Sequence, residues 1–215
     1  MKNKRFTFPS ISTFLFLLSI IGVLALVQRQ SYMQIPIALL AAFLLLFLGR
    51  CWRVWHIKVP QLLGGFTSCL IFASLVLGEA FDYYTKYANW DNMLHLLAGL
   101  LLGSVGWWIF SFRPYWGIIT FSLFGSAIWE MMEYAFDRLI GTNMQKDALI
   151  QPPLFQIVKG TLKEGVDIGL YDTMTDLFFG LLGGILMLFL FRFWPKFSRQ
   201  NLLPQSIKET IKDEA

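Results

Sequence analysis

Three short stretches hold most of the side chains that could do chemistry. In "WDNMLHLLAGLLLG", Asp91 and His95 stand four residues apart, which puts both on one face of a helix. In "SAIWEMMEYAFD", Ser126, Glu130, Glu133 and Asp137 recur at spacings of four, three and four, so they also share a side. In "YDTMTDLFFGLLGG", Asp172 and Asp176 repeat the four-residue spacing. Carboxylates with a single imidazole suit zinc, manganese or iron, and carboxylates also hold magnesium. Acids on several helices with one histidine at helical spacing match the way metal sites are built in bundle cores. The expected ligands are His95, Glu130, Glu133, Asp172 and Asp176. Glu130 doubles as a general base, and Asp91 orients His95 from behind. A divalent ion with an open coordination position activates water for hydrolysis.

Plainer explanations exist for several of these residues. Asp91 and Asp172 stand where helix N-caps stand, and aspartate is a good cap. Glu133 and Asp137 have Arg138 and Lys86 as possible partners, and Glu79 and Asp82 end an apolar run where water is near. His95 could be a neutral histidine donating to a carbonyl. Capping does not account for Asp176 or His95, each one turn further in. Ionisable residues at such depth mark function by default.

The elements that must position these groups are membrane spans. The chain has 215 residues, 56% hydrophobic and 15% charged, against about a quarter charged in soluble domains. Six apolar runs, at 9–27, 34–50, 60–78, 91–111, 115–136 and 171–193, approach the roughly 20 residues needed to cross a bilayer. The fold class expected is an all-α, polytopic membrane helix bundle of about six transmembrane helices. One transmembrane domain covers 1–195, and 196–215 is a polar cytoplasmic tail. The first run is too long for a signal peptide and lacks a small-residue cleavage site, so it is read as a retained helix. Cys51 and Cys69 support no disulfide framework. The net charge of +4 is not a nucleic-acid signal; the partners expected are membrane lipids.

Lys and Arg set the orientation. With the N-terminus inside, twelve of the eighteen basic residues fall on the inner side, which places both termini in the cytoplasm. Of the fourteen acids, Glu209, Asp213 and Glu214 are then cytoplasmic, and the rest lie outside or in the outer halves of spans. Four helix ends bring acids to the same leaflet: Glu79 and Asp82, Asp91, Glu130 with Glu133 and Asp137, and Asp172 with Asp176. Gly99, Gly103 and Gly106, and Gly180, Gly183 and Gly184, continue the polar stripes. Such small-residue faces let helix backbones approach closely in lipid. The polar faces are therefore expected to be buried against other helices, with the 138–170 loop able to cover them.

At these residues the chain resembles the bacterial membrane-protein family that includes the inner-membrane protein YjdF. The resemblance covers roughly residues 60–190. It rests on the D-x-x-x-H helix start at Asp91 and His95 and the W-E-x-x-E segment at Trp129, Glu130 and Glu133. It continues in the D-T-x-x-D segment at Asp172, Thr173 and Asp176, and "LGE" at 77–79 also fits. Tyr171 stands where the family usually has Trp. The order of motifs is more loosely similar to VanZ-like envelope proteins. The resemblance implies a multi-pass protein of the bacterial inner membrane with a polar cluster at the outer leaflet.

Three functional classes follow. The first is a metal-dependent, hydrolase-like intramembrane enzyme acting on a lipid, lipid-linked substrate or envelope precursor. The second is a proton- or cation-coupled transporter, although the inner halves of spans three to six carry no Asp, Glu or His. The third is a structural membrane protein whose polar cluster locks the bundle.

Overall fold

The computed structural model describes residues 8–54, 61–110, 114–140, 144–145 and 168–193. The 196–215 tail, the basic N-terminus, His56, Arg113 and most of the 138–170 loop lie outside the described residues. All regular structure among the described residues is helical. The elements are α1 (Phe8–Gln28), a 3-10 turn (Tyr32–Gln34), α2 (Ile35–Val54), α3 (Gln61–Ile71) running into a π-helix (Phe72–Ala80), α4 (Tyr83–Lys86), α5 (Trp90–Ile109), α6 (Pro114–Ile140) and α7 (Ile168–Phe193). Among the described residues, five stretches are long and apolar enough to cross a membrane: Ile11–Gln28, Tyr32–Cys51, Leu62–Ala80, Trp90–Ile109 and Gly169–Phe193.

Helix α6 is the exception to the six expected spans. It has 27 residues, ample length for a bilayer, but it is not among the five apolar stretches. Glu130, Glu133, Asp137 and Arg138 in its second half lower its apolar character. Pro114 is its first residue, where the missing N–H is harmless and the fixed φ suits the helix. The tight turn expected at Arg113–Pro114 lies partly outside the described residues, with Pro114 opening α6.

Contacts group the chain into two compact units. The first runs to Tyr83 and includes the residues from Phe193 on. Its helices pack through alanine, leucine and serine: Leu15 and Leu26 of α1, and Ala38, Ala41, Ala42 and Leu45 of α2, are buried. Phe14, Leu17, Ile21, Leu24, Phe43 and Phe47 are exposed, as fits helices whose flanks meet lipid rather than water. The serine hydroxyls remain satisfied. Ser12 donates to the Leu45 carbonyl of α2, while Ser19 donates to Leu15 O at 2.9 Å and Ser68 to Gly64 O at 2.9 Å.

The turn after α1 is a Schellman motif. Ser31 N–H donates to Leu26 O at 2.9 Å and Gln30 N–H to Val27 O at 3.0 Å, with Gln30 at φ 58. This satisfies carbonyls at the helix end, and leaves a non-glycine residue in left-handed backbone. At the other end of the unit, Phe81 N–H donates to Val76 O at 2.9 Å, the five-residue reach of a π-turn. Asp82, at φ 65, then redirects the chain.

The second unit, Tyr84–Arg192, contains α5, α6 and α7. Their facing surfaces are made of small residues. A Cβ added at Gly99 would overlap the Gly180 carbonyl, and one at Gly183 would overlap Leu96 O. Gly106 and Gly117 are opposed in the same way. Ser122 Oγ of α6 donates to Gly99 O of α5 at 2.8 Å. Backbones this close exclude any side chain between them, so the residues one turn along each helix are brought near as well.

Candidate metal centre

His95 stands one turn before Gly99 on α5, and Asp176 one turn before Gly180 on α7. Because Gly99 and Gly180 meet backbone to backbone, the imidazole and the carboxylate above them must converge. On α6, Gly117, Ile118, Ser122, Ser126, Glu130 and Glu133 are buried. They form one stripe at helical spacing that faces the other two helices. Of the four residues expected to share a side, Ser126, Glu130 and Glu133 are buried and Asp137 is half-buried, and the stripe extends further down than the acids alone suggested.

The resulting geometry centres on one imidazole. His95 Nε2 lies 3.7 Å from Asp91 Oδ1 and 3.6 Å from Asp176 Oδ2, and His95 Nδ1 lies 3.6 Å from Glu130 Oε1. The potential ligand atoms of Asp91, His95 and Asp176 all lie within 4.8 Å of one another. A direct N–H···O bond spans roughly 2.7–3.2 Å, and all three contacts are longer. Donors bound to one tetrahedral ion, each at about 2.1 Å from it, stand roughly 3.4 Å apart. The two distances from Nε2 are close to that separation, while the trio as a whole is bounded more loosely, at 4.8 Å.

Burial sharpens the point. Asp176 is 1% exposed and Glu130 4%. Asp176 is the ninth residue of α7, about 12 Å along the helix at 1.5 Å per residue. Charged groups at a membrane helix centre carry roughly 2.5–3.5 kcal/mol each on insertion scales, so several acids in one dry cluster call for neutralisation by protons, a basic side chain or a cation. Among the described residues, the imidazole of His95 is a basic group shared by three of these carboxylates.

Asp91, expected behind His95, is on the Nε2 side with Asp176. Glu130, expected as a ligand and base, faces Nδ1. A carboxylate on the far nitrogen fixes tautomer and ring orientation in metal-bound histidines, and Glu130 is placed for that task. Sequence spacing gives which residues share a face but not the rotation of one helix about its axis relative to the next.

Glu133 and Asp172 are outside the close trio. Glu133 is buried and accepts from Trp129 Nε1 at 2.7 Å, one turn back on α6. Asp172 is half-buried one turn before Asp176. Glu79 and Asp82 are exposed and belong to the other unit, so the convergence seen here is of three helix ends. Capping explains neither candidate cap. The N-cap of α5 is Asn89, with Asp91 in its first turn, and Asp172 is the fifth residue of α7. Asp91 is still well placed against the positive end of the helix dipole.

Asp137 has a role that the sequence did not suggest. Its carboxylate accepts from Met144 N–H at 2.7 Å and Gln145 N–H at 2.8 Å, and Gln145 Nε2 donates to Thr173 Oγ1 at 2.9 Å. Nothing in the spacing of the 138–170 stretch marks Gln145, because its partners are brought to it only by the fold.

Residues 10–197 match the model of a family described as a predicted membrane protein, DUF2238. An uncharacterized protein of Thermotoga maritima is 25% identical over 141 residues, which is 61% of this chain and 62% of that protein. The chain thus aligns with less than two thirds of that relative's length. No solved structure matches.

Proposed function

The chain belongs to the DUF2238 family of predicted membrane proteins, and we propose that it is a membrane-embedded, metal-dependent enzyme of hydrolase type. Its substrate class is a lipid or lipid-linked envelope precursor, approached from the outer leaflet of the bacterial inner membrane. The resemblance of the Asp91, Glu130 and Asp172 motifs to YjdF-type proteins and the bias of Lys and Arg support that location. The observation that carries the reading is the pair of carboxylates at 3.7 and 3.6 Å from His95 Nε2, with a third acid at 3.6 Å from Nδ1.

Asp91, His95 and Asp176 would hold a divalent ion, zinc, manganese or magnesium, which supplies a polarised water. Three protein ligands leave a coordination position open, as in catalytic rather than structural sites. Glu130 orients the imidazole. The Asp91 side chain is 16% exposed against 1% for Asp176, so Asp91 lies on the side of the trio open to water. Met131 and Tyr134 of α6 and Met174 and Phe178 of α7 are exposed at neighbouring levels. That apolar flank suits a substrate with acyl or prenyl chains.

The transport reading has less support. Immediately past the acids, α5 and α7 are in backbone contact at Gly99 and Gly180, and α5 and α6 at Gly106 and Gly117. Among the described residues, packing this tight narrows the centre of the three-helix unit below the acids.

The test is elemental analysis of the purified full-length protein. About one divalent ion per chain is expected in the wild type, and a small fraction of that in His95→Ala and Asp176→Ala. Equal metal content in all three proteins would remove the site.

A further inference from the structure

Asp176 is held from two directions along α7. One turn past it, Gly180 is pressed against Gly99 of α5. One turn before it, Thr173 Oγ1 accepts from the Gln145 side-chain amide at 2.9 Å. Thr173 and Asp176 stand three apart, so they lie on the same side of the helix.

Gln145 is itself anchored. Its backbone N–H donates to Asp137 Oδ2 at 2.8 Å, beside Met144 N–H on Oδ1 at 2.7 Å. Asp137 stands two turns beyond Glu130 on α6. Residue 145 therefore spans α6 and α7 at the level just outside the cluster, with its backbone on one helix and its side chain on the other. Gln145 is also buried, at 9% exposure, so its amide bond to Thr173 is shielded from competing water.

The leverage matters. Asp176 is four residues from the Gly180 pivot, about 6 Å along the axis. A tilt of a few degrees at that pivot moves the carboxylate by about 0.5 Å, while plausible metal sites hold ligand distances within about 0.2 Å. Gly180, Gly183 and Gly184 hold α7 close to α5 and α6, but all three lie on the same side of Asp176 and leave the outer end of the helix free to move. A second fixed point beyond Asp176 removes that freedom.

We propose that Gln145 and Thr173 are positioning residues that set the approach of Asp176 to His95, and so the affinity of the centre for a divalent cation. The inference rests on the metal reading of the cluster and adds residues outside the ligand set to it. Neither residue touches the cation. Both act through the helix that carries Asp176.

Mn²⁺ titration of the full-length protein in detergent, followed by the loss of the free-ion EPR signal, tests this. Gln145→Leu and Thr173→Val are each expected to weaken Mn²⁺ binding about tenfold, the magnitude typical of groups that orient ligands. The double variant should be no weaker than the worse single one, because both changes break one contact. Thr173→Ser keeps the acceptor hydroxyl and should bind within about twofold of wild type. Thermal melting with chelator present separates stability from positioning, since a purely structural contact would lower melting without changing Mn²⁺ affinity. Wild-type affinity in both Gln145→Leu and Thr173→Val overturns the proposal, as does a Thr173→Ser protein as weak as Thr173→Val. Should Gln145→Leu fail to fold, the near-isosteric Thr173→Val against Thr173→Ser comparison decides the matter alone. A wild type that takes up no Mn²⁺ would instead bring down the metal reading on which the clasp depends.

Discussion

The two compact units solve the same problem with different residues. Both are built from helices of about 20 residues or more, and both present apolar flanks. In the first unit the buried polar residues among those described are Ser12, Ser19 and Ser68, and each hydroxyl is used on a nearby carbonyl. In the second the buried set includes His95, Glu130, Glu133 and Asp176. The first unit shows that this chain packs membrane-length helices without a buried charge. The acids of the second are therefore not needed as packing material. A buried ionic cluster is weak evidence for stability in any case, because desolvation offsets much of the attraction. The contrast favours a site over a structural lock.

The glycines differ in the same way, and they give the largest expected effect. Gly99→Ala would drive a methyl into the Gly180 backbone, which cannot yield. Gly65→Ala in the first unit would meet only the flexible end of Ile11, at 3.2 Å. Unfolding of Gly99→Ala should show a loss of about 3 kcal/mol or more, at the upper end of overpacking costs. Gly65→Ala should stay within about 1 kcal/mol of wild type, because a gain in helix propensity offsets the crowding. Similar losses at both positions would erase the distinction between the units.

Trp129→Phe is next. It removes the indole N–H that donates to Glu133 at 2.7 Å and leaves a buried carboxylate short of a donor. A loss of about 1.5–3 kcal/mol is expected, as for hydrogen bonds to charged groups, read from the same unfolding curves. An unchanged stability would mean that Glu133 is solvated and that the buried acid network is smaller than described.

Asp176→Asn sharpens the comparison by separating stability from binding. With chelator present it should melt at or slightly above the wild-type temperature, since one of several clustered negative charges is gone. Its metal content should nevertheless collapse. A large loss of chelated-state stability would favour the structural lock instead. The smallest effect is expected in the first unit. Ser19→Ala deletes a hydroxyl that bonds its own helix four residues back. Such back-bonding contributes little to a helix, so the change should fall within about 0.5 kcal/mol.

Much of the helical framework was legible because lipid makes hydropathy a direct record of structure. The runs read at 9–27, 34–50 and 91–111 appear as α1 (Phe8–Gln28), α2 (Ile35–Val54) and α5 (Trp90–Ile109). Helix α6 extends beyond its expected end at 136 to Ile140, because Asp137 and Arg138 lower hydropathy without interrupting helical backbone. The π-helix at Phe72–Ala80 left no trace in a pattern that tracks only which residues are apolar. Within the centre, periodicity placed Asp91 with His95 and Glu130 with Glu133. It could not choose which acid faces which ring nitrogen, since that depends on how far each helix is turned. The glycine stripes, read as packing faces, did indicate which sides would meet. Gln145 was invisible for a different reason: its two contacts join residues eight and twenty-eight positions away, and no local rule reaches that far.

The most direct measurement is electron spin echo envelope modulation on the Mn²⁺-loaded full-length protein, which detects nitrogen bound to the ion. The account predicts coupling to a single imidazole nitrogen, that of His95, which disappears in His95→Gln. Mn²⁺ bound without any nitrogen coupling, or a coupling that persists in His95→Gln, would contradict it.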